Sequence, residues 1–273
     1  MPAGRVRNLE YAWTERGGGP DALLLHGFTG SKESWSGLLP LLEGSFRLLA
    51  VDLPGHGESG LPPCLQRYRM EEAAQDLAEL VRRLAGGPVH LLGYSMGGRL
   101  ALYFALEYPE LARSLALESA SPGLEGAAER EARRASDATL ADRILAQGME
   151  AFTAEWERLP LFASQASLPE AARRELRLRR LQNRPEGLAG SLRGMGTGVQ
   201  PSLWGRLAAL QLRTLLVAGE LDEKFCALNR RMAQEIPAAR LEIVPGAGHS
   251  VHLEQPLVYA KLLHRFWSQE GDR

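Results

Sequence analysis

The sequence predicts an α/β protein: a mostly parallel, doubly wound sheet with a block of helices inserted over one end. Three observations predict it. Short apolar runs alternate with helix-length amphipathic segments, the connections between them are short, and the alternation stops once in mid-chain and then resumes. The 273 residues suffice for one large domain with a modest insertion.

Leu23, Leu24 and Leu25 follow the turn-forming Gly17-Gly18-Gly19-Pro20 and read as a buried strand. The runs 48–51, 89–92, 115–117 and 215–218 read the same way. The run 241–244 alternates, which suits a strand nearer an edge. A pair around Val6 and Tyr11 adds an antiparallel edge. Between these, Met70, Ala73, Ala74, Leu77, Leu80, Val81 and Leu84 recur at steps of three and four, giving one apolar helix face. Further helices are predicted after Ser95, over 223–235, and from Gln255 to about Trp267. Residues 1–120 and 206–273 therefore form the core. Residues 121–205, rich in Arg, Glu, Ala and Leu and without a strand pattern, form a helical lid broken at Pro160, Pro169, Pro185 and the glycine run 194–198.

Charge narrows the partners. A formal net charge of -1 provides no global field for nucleic acid or an anionic membrane. No segment approaches 18 uninterrupted apolar residues, so no membrane insertion is expected. The N-terminal MPAGRVRNLEYAW has no apolar secretory core. Cys64 and Cys226 stand in no metal or redox spacing, which reads as a reduced, cytoplasmic protein with structural thiols. The only lysines are Lys32, Lys224 and Lys261, so arginine carries nearly all the positive charge.

Gly93-Tyr94-Ser95-Met96-Gly97 matches GxSxG, a weak signal alone and a strong one between a predicted strand and a predicted helix. That context lifts Ser95 above the sheet, removes side chains where the backbone doubles back, and sets a helix N-terminus under developing negative charge. Gly219-Glu220-Leu221-Asp222 and Gly246-Ala247-Gly248-His249 each follow a strand, so Ser95, Asp222 and His249 all fall at strand C-terminal ends, where such sheets bind ligands. Asp222 would orient His249, and His249 would take the Ser95 proton. Glu118 and Glu220 are rivals for the acid, and His252, read as a flanking or surface residue, for the base. The loop 26–30 and the start of the helix after Ser95 would supply two backbone N–H groups, from Phe28 and Met96, to a developing oxyanion. His26, Asp52 and His56 read as loop braces.

The stretches HGFTG, DLPGHGES, GYSMGGR, GELDEKF and AGHSVH resemble the α/β-hydrolase superfamily, and the order Ser…Asp…His agrees. A finer resemblance, carried by GYSMGGR, ESASPGLEGAAEREARRASD, LPLFAS and AGELDEKF, is to the menaquinone-pathway lyases called 2-succinyl-6-hydroxy-2,4-cyclohexadiene-1-carboxylate (SHCHC) synthases, the MenH family. It runs through nearly the whole chain, lid included. The resemblance implies elimination of pyruvate from a tricarboxylate, 2-succinyl-5-enolpyruvyl-6-hydroxy-3-cyclohexene-1-carboxylate, with no metal or organic cofactor. It implies substrate contacts from Tyr94, Arg99, Arg133, Trp156 and Arg180, with Arg179 replacing Arg180 if the register slips by one. Ser95, activated by His249 and Asp222, would then remove a ring proton. Met96 departs from the leucine often found there, which is harmless if only its N–H is used. The same triad equally suits a serine hydrolase, either an esterase, a thioesterase or a carbon–carbon bond hydrolase. A non-catalytic ligand receptor on the same fold is the remaining alternative.

Overall fold

Eight strands form one sheet in the computed structural model, which describes residues 2–269. They are β1 (Ala3–Val6), β2 (Leu9–Arg16), β3 (Asp21–Leu25), β4 (Arg47–Val51), β5 (Val89–Tyr94), β6 (Ala112–Glu118), β7 (Thr214–Gly219) and β8 (Ala239–Val244). Their spatial order is β1-β2-β4-β3-β5-β6-β7-β8. β1 and β2 pair antiparallel, as do β2 and β4, and every other pairing is parallel. The predicted N-terminal pair, the five predicted inner strands and the alternating sixth are all present, and that sixth, β8, lies at the edge its alternation suggested. The strand order reverses beside β3, whose neighbours are β4 and β5, and this switch point opens a crevice beyond the C-terminal ends of β3 and β5.

The helices are α1 (Leu39–Leu42), α2 (Met70–Leu84), α3 (Met96–Glu107), α4 (Ala127–Trp156), α5 (Glu170–Leu181), α6 (Pro185–Met195), α7 (Glu223–Glu235), α8 (Val251–Glu254) and α9 (Pro256–Ser268). Strand alternation divides the apolar side chains between two cores. Leu91 of β5 packs with Leu77 of α2 and Leu100 of α3, whereas Leu92 faces Trp35, Leu263 and Trp267 on the other side. Both faces of the sheet are thereby covered, the condition a parallel sheet requires.

Between β6 and β7 there is no strand. A 3-10 segment at Pro160–Ser167 joins α4 to α5, and α6 follows. Ala141, Ile144, Phe152, Leu188, Ala189 and Leu192 give α4 and α6 a small core of their own, against which Phe28 and Trp156 pack. The predicted breaks occur at Pro160, Pro169 and Pro185, and α6 stops before Gly196. One break was not foreseen. Gly148 adopts φ 76° inside α4, a left-handed conformation that kinks the helix.

Candidate active site

Ser95 stands between β5 and α3 with φ 51° and ψ -108°, a strained backbone for a residue with a Cβ. Its neighbours explain how the turn closes. A Cβ on Gly93 would overlap the backbone of Gly97 and Gly98, and one on Gly97 would overlap the carbonyls of Leu25 and His26. The glycines thus allow the start of α3 to pass against the loop after β3. Ser95 N–H donates to the Glu118 carbonyl at 2.8 Å, tying the turn to the end of β6.

The three chain segments of the predicted triad meet here. His249 Nε2 lies 3.2 Å from Ser95 Oγ, and its Nδ1 lies 2.6 Å from Asp222 Oδ2. Asp222 caps α7 by accepting the Phe225 N–H on Oδ1 at 3.3 Å. The carboxylate is therefore held from both sides, and only the Nε2 face of His249 is turned to Ser95. The rival acids are engaged elsewhere. Glu118 is fully buried and accepts both the N–H of His252 at 3.1 Å and its Nδ1 at 2.8 Å; Glu220 accepts the Gly246 N–H at 3.0 Å. His252 flanks the site as expected but is 2% exposed, not on the surface. Burial there is possible because Glu118 satisfies its imidazole.

Gly27 brings the loop after β3 against the nucleophile, for a Cβ at Gly27 would sit 3.5 Å from the Cβ of Ser95. Phe28 and Met96 line the same cavity as Ser95, and neither of their N–H groups donates to a protein acceptor among the described residues. His26 braces this loop: its Nε2 accepts the Leu53 N–H at 3.0 Å, and burial lowers its pKa to about 4. Burial, reinforced by neighbouring His26, lowers that of His56 to about 3. Asp52 accepts the N–H of Lys32 at 2.6 Å and of Glu58 at 2.9 Å, shaping the adjoining turn. All three act as the sequence suggested.

The cavity above Ser95 measures about 390 Å³ and is lined by both the sheet loops and the α4–α6 block. That volume suits a small organic ligand. Residues 23–256 match the family model of the alpha/beta hydrolase fold. The "Putative 2-succinyl-6-hydroxy-2,4-cyclohexadiene-1-carboxylate synthase" of Bacillus subtilis (strain 168) is 50% identical over 252 residues, covering 91% of this chain and 92% of that one. The 2-succinyl-6-hydroxy-2,4-cyclohexadiene-1-carboxylate synthase of Enterobacter sp. (strain 638) is 34% identical over 246 residues, with 90% and 91% covered. The solved structure of MenH from S. aureus matches with a TM-score of 0.90 at 32% identity, over 94% of this chain and 97% of that one.

The chain belongs to the SHCHC synthase family of the α/β-hydrolase fold.

Within this SHCHC synthase family member, four of the five predicted substrate-contacting residues line the Ser95 cavity: Tyr94, Arg99, Arg133 and Trp156. Tyr94 is buried, with its hydroxyl 2.7 Å from Ser250 Oγ and its ring 5.4 Å from that of His249. Arg99 is held by the Met195 carbonyl at 2.9 Å and Gln200 Oε1 at 2.8 Å, and no carboxylate among the described residues pairs with it. Burial, helped by the charge of Arg133, lowers its pKa to about 10, so it stays cationic at neutral pH. Arg133 Nε bonds Asp137 Oδ1 at 2.8 Å. Trp156 stacks edge-on to Phe28 at 5.4 Å.

Arg180 is not among the residues lining that cavity. Its guanidinium lies 5.4 Å from the centre of the Phe162 ring and bonds Glu157 and Gln165 at 3.1 Å each, and it lines a small hollow that Tyr94, Phe162 and Ser250 also line. It also lines a larger hollow of about 790 Å³, which none of the triad residues lines. Its neighbour Arg179 bonds the Glu33 carbonyl and Ser36. Glu157 and Gln165 offer a buried guanidinium the partners it needs, and that fixes it there. Sequence reasoning missed Phe225, whose ring lies 4.7 Å from that of His249, and Lys224, which lines the cavity. Both occur in GELDEKF, where only Asp222 was assigned a role.

Proposed function

We propose that the protein is a carbon–oxygen lyase of menaquinone biosynthesis, converting 2-succinyl-5-enolpyruvyl-6-hydroxy-3-cyclohexene-1-carboxylate to SHCHC and pyruvate, with Ser95 as the base. The observation that carries this reading is the joining of two features in one cavity. The Ser95–His249–Asp222 relay opens onto the unpaired Arg99 and onto Arg133, in a chain with 50% identity to a synthase relative over 91% of its length.

In the step proposed, His249 accepts the Ser95 proton, and the Ser95 oxygen takes the hydrogen on the ring carbon next to the succinyl ketone. The electron pair left on that carbon is delocalised onto the ketone oxygen, where the Phe28 and Met96 N–H groups stabilise it. It then forms a new ring double bond, the existing one shifts along by one carbon, and the carbon–oxygen bond to the enolpyruvyl group breaks. The leaving enolate gains a proton and departs as pyruvate. Asp222 keeps the imidazole oriented and stabilises its positive charge. As written, the step draws on side chains and backbone alone.

Arg99 and Arg133 would pair with carboxylates of the substrate, interactions that gain strength where water is excluded. Residues 121–205 would act as the lid that excludes it, over a core formed by 1–120 and 206–273. No helix among the described residues is long and apolar enough to cross a membrane. We place the enzyme in the cytoplasm, acting on a small polycarboxylate and not on nucleic acid. The test supplies the substrate and follows pyruvate and diene absorbance together. Equal release of both by the wild type, abolished in Ser95→Ala, supports the proposal; ester hydrolysis through an acyl-enzyme, without pyruvate, overturns it.

A further inference from the structure

We infer that Gln165 and Ser250 are positioning residues that turn the Tyr94 O–H into a donor aimed at the cavity over Ser95; this rests on the lyase reading above. Neither of the two lines that cavity. They form the middle of a chain of hydrogen bonds that starts in the inserted block and ends beside the nucleophile. Arg180 Nη2 donates to Gln165 Oε1 at 3.1 Å, and Gln165 Nε2 donates to Ser250 Oγ at 3.1 Å. Ser250 Oγ in turn lies 2.7 Å from the Tyr94 hydroxyl, and all four residues border one small hollow.

The direction of every bond follows from the first link. A guanidinium has only hydrogens to give, so the Gln165 carbonyl must face Arg180 and its NH₂ must face Ser250. The Ser250 oxygen therefore accepts from Gln165 and has one hydrogen of its own to place. Among the described residues, Tyr94 is the one other partner of the Ser250 hydroxyl, and Ser250 is the one partner of the Tyr94 hydroxyl. Were Tyr94 the donor, the Ser250 hydrogen would be stranded at 1% exposure, a cost that buried polar groups ordinarily avoid. With Ser250 as the donor, the free hydrogen is that of Tyr94, which lines the cavity where a substrate oxygen can accept it. Burial pushes the Tyr94 pKa up, so the phenol retains this hydrogen at neutral pH.

A buried cluster of amides and hydroxyls is ordinarily a satisfied core network and no more. Two features set this one apart. Its members come from four separate segments: the end of β5, the loop after β8, the 3-10 segment Pro160–Ser167 and α5. It also ends on a ring fixed beside the triad. A Cβ on Gly27 would overlap the Tyr94 ring, which lies 5.4 Å from that of His249 and 4.6 Å from that of His252. Consecutive bonds of one polarity strengthen one another, so the charge of Arg180 sharpens the donor at the far end.

The test measures kcat/KM for pyruvate release in Ser250→Ala, Ser250→Thr, Gln165→Glu and Tyr94→Phe, with circular dichroism to verify folding. Ser250→Ala and Gln165→Glu are also each combined with Tyr94→Phe. Ser250→Ala removes the donor to Tyr94 and should lower kcat/KM about tenfold. Ser250→Thr keeps the hydroxyl and should stay within about threefold of wild type. Gln165→Glu, ionised beside Arg180, accepts from both neighbours and so reverses the chain. Ser250 then donates away from Tyr94, Tyr94 donates to Ser250, and kcat/KM should fall to about that of Tyr94→Phe. With Tyr94→Phe already present, Ser250→Ala and Gln165→Glu should each cost less than about twofold. A loss acting through the neighbouring His249, through the added charge or through folding would persist in full there and overturn the assignment. Wild-type activity in Ser250→Ala or in Tyr94→Phe overturns it too, with the lyase reading intact. Absence of pyruvate release by wild type overturns the lyase reading itself, and this assignment with it.

Discussion

Replacing Asp222 by asparagine keeps the shape of the side chain and changes what it can accept. In the native site Oδ1 accepts the Phe225 N–H and Oδ2 faces His249 Nδ1 at 2.6 Å, with the histidine 2% exposed. An asparagine that keeps its oxygen toward Phe225 must turn its NH₂ toward Nδ1; the opposite orientation would set two donors against each other at the helix cap. Facing that NH₂, Nδ1 becomes the acceptor and Nε2 carries the hydrogen, so Nε2 can no longer take the Ser95 proton. Loss of the correct tautomer in a triad of this kind costs about 10⁴ in rate, equivalent to roughly 5.4 kcal/mol at 1.36 kcal/mol per tenfold. KM should stay within about threefold, because Asp222 does not line the substrate cavity. Steady-state pyruvate release, with circular dichroism to verify folding, measures both. Activity within tenfold of wild type would refute the tautomer argument. If activity were lost in Glu118→Gln instead, the acid would have to be reassigned to the carboxylate that here holds His252.

Other consequences follow from the same contacts. Arg99→Ala and Arg133→Ala should each lower kcat/KM by about 10²-fold or more, measured by the same assay; losses no greater than in an exposed arginine variant would exclude carboxylate pairing. Gly97→Ala should destabilise the fold by at least about 1–3 kcal/mol, read from denaturant midpoints, because its methyl would overlap the Leu25 and His26 carbonyls. His26, His56 and His90 are held neutral by burial, with pKa values of about 4, 3 and 4. The unfolded chain therefore binds more protons below pH 6.5, and stability should fall as pH drops from there toward 4. The loss is up to about 1.4 kcal/mol per histidine for each pH unit, and a stability flat from pH 7 to 5 would contradict it.

The sheet was legible because its signals are local. Each inner strand is a short apolar run, the alternation of 241–244 marked β8 as an edge, and the glycines around Ser95 betray a turn where the backbone doubles back. The convergence of Ser95, Asp222 and His249 followed from placing each at a strand end. What escaped depends on tertiary partners. His252 is buried because Glu118, 134 residues away, is there to bond it. Arg180 is held beside Phe162 by Glu157 and Gln165, and no spacing in an arginine-rich helix distinguishes it from its neighbours. The kink at Gly148 gave little warning, since one glycine in an alanine-rich helix is ordinarily tolerated at modest cost. Lys224 was visible in GELDEKF, but only the cavity shows which way that loop presents it.

The most direct measurement labels the substrate with deuterium at the ring carbon beside the succinyl ketone. Proton removal by the Ser95 oxygen predicts slower release of pyruvate and diene alike from the labelled substrate, with no covalent adduct on Ser95 in intact-mass spectra taken during turnover. Unchanged rates together with an accumulating adduct on Ser95 would show a nucleophile at work and contradict the account.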